Sequence, residues 1–219
     1  MQYKDEEILK QRKAAAMQQM GELENEEKER EQQESILDGM VHIDDKEVAF
    51  ERREIPKIGI ALQMPVSFEF LEGEMKEAIY PFGNPPTNVY ADLTIPFQIT
   101  LNKTTHTVPE EGIPAFMKMT AKLLENNGPK VRILSNGVVK IHEHDVGIME
   151  VASRAVDCNV YNVMFYLVIE NTLVIGSINF ATKYSKRMMP IAKEILDSIE
   201  QLNDLEEKEA SSDGNNHLS

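Results

Sequence analysis

The middle of the chain alternates apolar and polar residues with a period of two, the pattern of half-buried β-strands. Residues 58–64 alternate isoleucine, leucine and methionine with smaller or polar residues and end at Pro65, so they predict one strand. Residues 89–101 predict a longer strand, whose odd positions are all apolar and whose even positions are mostly polar. Pro96 falls within it and indicates an edge position or a bulge, because proline cannot donate a ladder hydrogen bond.

Further strands are predicted on both sides of these two. Val48 and Phe50 begin a period of two that the charged residues 51–54 interrupt, which favours only a short strand there. Near the C-terminal end, the apolar runs 161–169 and 173–180 flank the turn sequence Glu-Asn-Thr. This arrangement predicts a β-hairpin.

The region between the mid-chain residues and that hairpin is also strand-like. Residues 131–134 and 138–141 predict two short strands around a Ser-Asn-Gly turn at 135–137. A polar turn at 142–145 follows, and residues 148–152 then predict another strand. The order indicates strands in antiparallel succession.

Two segments have the three-to-four-residue spacing of amphipathic helices. The first lies mid-chain, and the residues on its predicted inner face are Ile113, Phe116, Met117, Thr120 and Leu124. It begins either at the capping-box spacing of residues 107–110 or near Gly112, and Asn-Gly-Pro at 127–129 ends it. The second is C-terminal, and its apolar face consists of Met188, Ile191, Ile195, Ile199 and Leu202. Pro190 is expected in its first turn.

These elements predict an α+β fold, in which one helix inserted mid-chain and one C-terminal helix pack on an antiparallel sheet. The absence of a strand–helix–strand rhythm disfavours a doubly wound nucleotide-binding fold. We place this domain at residues 39–202. Residues 1–38 are predicted to form a flexible acidic extension, helical or disordered, and residues 203–219 a disordered acidic tail.

Charge concentrates at the two ends of a chain whose formal net charge is −14. Such a charge repels phosphates, so binding to nucleic acid or to anionic lipid is disfavoured. The N-terminal extension contains a heptad-like spacing of apolar residues, at Leu9, Ala16, Met20 and Leu23. The spacing continues for about two heptads, which is fewer than a stable coiled coil needs. A partly formed, solvated helix is expected there, and a helix that docks on a partner is the alternative.

The sequence also bears on the compartment. It opens without the basic and apolar regions of a signal peptide, and its longest apolar run, residues 163–169, is far shorter than the ~20 residues that span a bilayer. Insertion into a membrane is therefore not expected. Cys158 is the single cysteine, which excludes a disulfide framework within the chain. These features predict a cytoplasmic protein.

Several phrases, in their order along the chain, resemble the PsbP-like fold group. They are IGIALQMPVSFEF, LLENNG, SNGVVKI, NFATKYS and AKEILDSIEQL. The group contains the photosystem PsbP proteins, the Mog Ran-binding proteins, bacterial DcrB and the Eag-type chaperones of secreted effectors. The resemblance covers residues 47–202 and implies the same α+β fold. Because the secretion signal of the exported members is missing, it makes cytoplasmic adaptors and chaperones the expected relatives in function.

One cluster has residue types that bind metal ions: His142, Glu143, His144 and Asp145. On an extended strand the two histidines would share a face, and a pair at that spacing can chelate zinc. The sequence brings no further ligand near them, so we predict a solvated turn without metal or cofactor. Cys158 is predicted to be a small apolar filler rather than a nucleophile, which would need a histidine base beside it. No catalytic residue is assigned.

The strand over residues 160–169 is apolar on both faces. Such a strand is usually buried on both sides, here by the two helices. The alternative is that its even-numbered face is an open trough for a partner. On that hypothesis the partner-binding residues are Val160, Met164, Tyr166, Val168, Tyr90 and Gln98.

The expected function is that of a non-enzymatic cytoplasmic binding protein. As an adaptor or chaperone it would hold another polypeptide on its sheet, for example an apolar or transmembrane-like segment of a secreted effector. One alternative is an immunity-type protein that neutralises a toxin, since the net charge of −14 would complement a basic partner. The other is a small metal-dependent hydrolase built on the turn from His142 to Asp145.

Overall fold

A computed structural model describes residues 34–80, 85–126, 131–154 and 158–202. The strands in these residues are β1 (Met40–Ile43), β2 (Lys46–Ile55), β3 (Ile60–Pro65), β4 (Glu69–Phe70), β5 (Asn88–Ala91), β6 (Phe97–Thr107), β7 (Val131–Ile141), β8 (His144–Arg154), β9 (Asn159–Ile169), β10 (Thr172–Ala181) and β11 (Glu200–Gln201). The helices are α1 (Gly73–Ile79), α2 (Ile113–Asn126) and α3 (Ser185–Asp197). Short 3₁₀ turns lie at Ile36–Asp38, Glu110–Gly112 and Thr182–Tyr184.

The strands form two antiparallel sheets. The smaller has the order β1-β2-β3-β11 and the larger the order β4-β5-β6-β10-β9-β8-β7. The α+β class is confirmed, with α2 as the mid-chain helix and α3 as the C-terminal one; α1 is an addition. The predicted hairpin is confirmed as β9 and β10, which turn at Glu170 and Asn171 with φ of 51° and 61°.

The main core unites the larger sheet, the smaller sheet and α3. The larger sheet contributes apolar residues from one face, which include Phe97, Ile99, Leu101, Val163, Phe165, Leu167 and Ile178. They cluster with Ile60, Leu62 and Met64 of β3 and with Met188, Ile191 and Ile195 of α3. Gly176 on β10 is required by this packing, because a Cβ at that position would overlap the Phe165 ring.

Strand β2 is longer than the predicted short strand. The charged residues 51–54 continue the strand instead of ending it, because their backbone stays paired with β3 as far as Ile55. Their side chains form ion pairs along the strand, Arg52 with Glu54 at 2.8 Å and Arg53 with Glu51 at 2.7 Å. Backbone pairing therefore outweighs the break in the apolar pattern.

The prediction of one long strand over residues 89–101 is wrong. The segment forms two strands, β5 and β6, which pair with each other across a turn. The Asp92 side chain accepts a hydrogen bond from the Thr94 N–H at 2.8 Å, and the Asp92 carbonyl accepts one from the Ile95 N–H at 3.0 Å. Leu93, which the alternation placed on the inner face, is 68% exposed. The local hydrogen bonds of aspartate turned the chain where the alternation alone predicted continuity.

Residues 131–141 are one strand rather than two strands around a turn. The Ser-Asn-Gly sequence stays within β7, and a register shift between Ile133 and Ser135 is the only irregularity in the pairing with β8. The polar turn that follows is confirmed at His142 and Glu143. Among the described strands, β7 pairs only with β8 and so forms one edge of the larger sheet.

The helix ends differ in detail from the sequence expectation. Helix α2 begins at Ile113, directly after the 3₁₀ turn, so the later of the two predicted starts is the observed one. Pro190 lies in the second turn of α3 and not in the first, because the helix already begins at Ser185. The predicted stop at 127–129 lies outside the described residues.

The domain begins further upstream than residue 39. Ile36 belongs to the main core at 1% exposure, and its N–H donates to Glu194 Oε2 at 2.8 Å. The Glu34 carboxylate accepts a hydrogen bond from Arg187 Nη2 at 2.8 Å and lies 2.6 Å from His42 Nδ1. Burial alone would raise the pKa of Glu34, but the hydrogen bonds from His42 and the charge of Arg187 outweigh it and lower that pKa. Residues 34–38 are therefore part of the domain.

The remainder of the predicted extension lies outside the described residues. This holds for residues 1–33, which carry the heptad-like spacing from Leu9 to Leu23, and for the predicted tail at 203–219. Among the described residues, no helix is long and apolar enough to cross a membrane.

Candidate binding site

The open trough predicted on the even-numbered face of β9 is covered in the structure. Tyr166 is fully buried and clusters with Ile113 and Met117 of α2, and its ring centre is 6.0 Å from that of Phe116. Helix α2 comes so close to the sheet that a Cβ at Gly147 would overlap the Met117 sulfur. The alternative prediction, in which this face is buried by a helix, is the one that the structure supports at Tyr166.

The neighbours of Tyr166 on β9 share this environment. Met164 and Val168 are half-buried and pack against the cluster under α2. The Tyr166 hydroxyl donates to Met164 Sδ at 3.8 Å, and burial raises the pKa of Tyr166 to about 12, so the phenol stays protonated. These side chains stabilise the packing of α2 on the sheet.

Tyr90 and Gln98 were predicted to share a face of one strand with the β9 residues, and this is wrong. The register pairs Tyr90 with Ile99, which places Tyr90 on the core side, and pairs Ala91 with Gln98, which places Gln98 on the opposite side. Tyr90 packs against Phe70 with ring centres 5.5 Å apart. The turn between β5 and β6 explains the error, since it resets the alternation on which the prediction rested.

Gln98 and Val160 do come together. Both line a shallow pocket of about 280 Å³ on the face of the larger sheet that lies away from the main core. Gln98 Nε2 donates to the Tyr80 hydroxyl at 2.7 Å, so its amide is already engaged. The six predicted residues thus occupy three separate environments and do not form one surface.

A larger concave site lies on the core side of the same sheet, at its β7 end. There, α3 and the strands β7, β8 and β9 enclose about 600 Å³, and we call this space the helix–sheet cleft. Its apolar lining is Val139, Ile148, Val163, Met189, Pro190, Ala192 and Leu196. Its polar lining is Lys140, Glu150, Lys193 and Asp197.

The cleft exists because the larger sheet continues beyond the part that α3 covers. Val163 on the interior strand β9 is buried, whereas Val139 on the edge strand β7 is 43% exposed. Sequence reasoning missed this site, because it interpreted residues 135–137 as a turn and so did not place Val139 beside a helix. The signal that was present is the apolar pair Val138 and Val139 between Ser-Asn-Gly at 135–137 and Lys140.

The polar groups of the cleft are few. Tyr161 donates its hydroxyl to Glu150 Oε2 and stacks on Phe180 with ring centres 5.3 Å apart. Burial, and then the hydrogen bond to Glu150, raise the pKa of Tyr161 to about 12, so Tyr161 remains a donor. Lys140 pairs with Asp145 at 2.8 Å. An apolar wall with isolated polar groups is suited to recognition of an apolar ligand.

The hairpin turn separates the side chains of the candidate metal ligands at residues 142–145. His142 has a left-handed φ of 53° in the turn, so it does not share a strand face with His144. The ring of His144 lies 3.8 Å from Glu110, and the backbone N–H of Asp145 donates to the same glutamate. Within the described ranges, no group of three or more histidine, cysteine, aspartate or glutamate side chains is placed to hold a metal ion.

Cys158 is exposed, so the prediction of a small apolar filler is wrong. It lies one residue before β9 begins, where the strand has not yet entered the core.

The architecture described above is a PsbP-like fold, as the sequence resemblance implied. The chain is similar to the cyanobacterial PsbP protein (CyanoP) of Synechocystis, with a TM-score of 0.52 at 9% identity over 69% of this chain and 92% of that one. It is also similar to LpqN of Mycobacterium tuberculosis, described as involved in cell envelope biogenesis, with a TM-score of 0.40 at 16% identity over 71% and 91%. At 9% identity, the likeness to CyanoP concerns the fold.

A further similar structure is the immunity protein TplEi of Pseudomonas aeruginosa, with a TM-score of 0.36 at 15% identity over 48% of this chain and 40% of that one. No protein-family model matches the chain. No curated protein matches its sequence.

Proposed function

We propose that this chain is a non-enzymatic binding protein, an adaptor or chaperone, that holds an apolar segment of a partner polypeptide in the helix–sheet cleft. The observation that carries this proposal is the apolar cleft of about 600 Å³. That volume is within the range of ligand-binding sites, and exposed apolar concavities of this kind are typical of interaction sites. The proposal keeps the expected function but moves the binding site to the opposite face of the sheet.

A polypeptide suits the cleft better than a small molecule because of the strand beside it. Among the described strands, β7 is the last of the larger sheet, and three of its apolar residues, Leu134, Val138 and Val139, are 42%, 39% and 43% exposed. A segment that runs along such an edge can use backbone hydrogen bonds for affinity, while its side chains fill an adjacent apolar pocket.

The proposal of a non-enzymatic role rests on the composition of the cleft. Its ionisable lining consists of two lysines and two carboxylates, and one of these lysines is already paired with Asp145. Of the described residues, no serine, threonine, cysteine or histidine lines the cleft, so a hydroxyl or thiol nucleophile with a histidine base is not among these residues. The exposed thiol of Cys158 suits a reducing compartment, so we propose the cytoplasm as its location.

An immunity protein that neutralises a basic toxin is the second candidate. The net charge of −14 favours it, because a strongly acidic surface speeds association with a basic partner.

Two matched variants on β7 test the binding proposal. Val139→Asp places a charge in the cleft, whereas Val138→Asp places one on the other face of the same strand at nearly equal exposure. Affinity capture from the native cells with wild type and both variants should recover a partner with wild type and with Val138→Asp but not with Val139→Asp. Thermal melting of all three proteins controls for folding. A partner that is captured equally by both variants would refute the cleft as its binding site.

A further inference from the structure

Glu150 stands out in the helix–sheet cleft as a carboxylate set among apolar neighbours. It projects from β8 directly opposite Val163 of β9, and Ile148 lines the cleft beside it. Its side chain is half-buried, in a wall formed mainly by apolar residues. Removing a carboxylate from water into such surroundings costs free energy unless a hydrogen bond or a cation compensates.

The described residues compensate this charge only in part. The Tyr161 hydroxyl donates to Oε2 of Glu150, which leaves the other carboxylate oxygen as an available acceptor. Lys140, on the rim of the cleft, is paired with Asp145 at 2.8 Å. Lys193 also lines the cleft, but no ion pair within 4.0 Å joins it to Glu150. A cation at Glu150 is therefore missing from the part of the chain that the structure describes.

We propose that the partner segment carries one basic side chain among its apolar ones, and that this lysine or arginine pairs with Glu150 inside the cleft. This inference rests on the proposed function and names the chemistry of the partner. The alkyl stem of the basic side chain packs on Ile148 and Val163 while its charged end reaches the carboxylate, the arrangement that long basic side chains adopt at apolar surfaces. The net charge of −14 favours the approach of such a segment.

A pair of synthetic peptides tests the inference. Each is about nine residues long, roughly 30 Å as an extended strand, with leucine at every second position and glutamine elsewhere. One has a lysine at the centre of its leucine face, and the other has uncharged norleucine there. Their dissociation constants are measured by fluorescence anisotropy with the full chain as wild type, Glu150→Gln and Glu77→Gln. Glu77 is an exposed carboxylate on α1, so its variant controls for the loss of one unit of net charge.

The wild type is expected to bind the lysine peptide about tenfold or more tightly than the norleucine peptide, the usual effect of a charge-assisted hydrogen bond. Glu150→Gln should abolish that preference and Glu77→Gln should retain it. A preference that persists in Glu150→Gln, or a wild type that favours norleucine, would overturn the inference.

The same measurements separate this inference from the proposed function. If both peptides bind equally and Val139→Asp weakens both, the cleft holds an apolar segment but Glu150 does not select a cation, and the inference is refuted alone. If Val139→Asp changes the binding of neither peptide, or neither binds the wild type, the proposed function is refuted with it. Thermal melting of Glu150→Gln shows whether a lost preference reflects lost folding.

Discussion

The start of the domain provides a sharp quantitative prediction, because two adjacent residues of one 3₁₀ turn have opposite environments. Ile36 is 1% exposed and belongs to the main core, whereas Leu37 is 70% exposed. Ile36→Ala removes three buried carbon atoms, worth about 0.8 kcal/mol each in transfer free energy, and leaves a cavity. We expect a loss of about 3 kcal/mol in the free energy of unfolding, against less than about 0.5 kcal/mol for Leu37→Ala.

Urea unfolding monitored by circular dichroism measures this difference, provided that the slope of the transition is the same in all three proteins. In a thermal scan, 3 kcal/mol corresponds to a fall of about 6–12 °C for a domain of this size. The same reasoning separates two truncations: removal of residues 1–38 must destabilise the domain more than removal of residues 1–33. Equal stability of Ile36→Ala and Leu37→Ala would show that this segment does not pack as described.

Two further predictions concern the cover of β9 and the anchoring of the first residues. Tyr166→Ala should lower the free energy of unfolding by about 3–5 kcal/mol, because the ring is buried under α2. A loss below about 1 kcal/mol in urea unfolding would contradict this burial and support the hypothesis of an open trough. Because the pKa of Glu34 is lowered in the folded state, its contribution is present above the ordinary value of 4.5 and is lost as the pH falls below it. The stability difference between wild type and Glu34→Gln should therefore shrink from pH 6 towards pH 3, and a difference that grows over this range would contradict the ion pairs of Glu34.

The correct sequence predictions share a physical basis in local periodicity. The hairpin of β9 and β10 was recognisable because two long apolar runs flank a short polar turn. The inner face of α2 was recognisable because Ile113 and Met117 recur at helical spacing, and both are buried. The α+β class followed from the order of such elements, whereas the PsbP-like fold was implied by the resemblance of several sequence phrases to that group.

The incorrect predictions arose where alternation or turn composition was interpreted without the hydrogen bonds that decide between a strand and a turn. Residues 89–101 alternate as one strand would, yet the side-chain hydrogen bond of Asp92 turns the chain. Residues 135–137 have turn composition, yet pairing with β8 keeps them extended. In both cases the choice between two locally acceptable conformations was made by hydrogen bonds that the sequence pattern does not record.

The sequence by itself determined which faces of the strands and helices are apolar. Only the tertiary structure decided which elements pack on each of these faces and which parts of them stay open. The even face of β9 is apolar in either case, but α2 buries it at Tyr166 and leaves no trough. The core face of the same sheet runs past α3 and remains open at Val139, which creates the helix–sheet cleft around Glu150. The physical reason is that burial depends on the packing of elements far apart in the chain, whereas periodicity reports only the side on which each element is apolar.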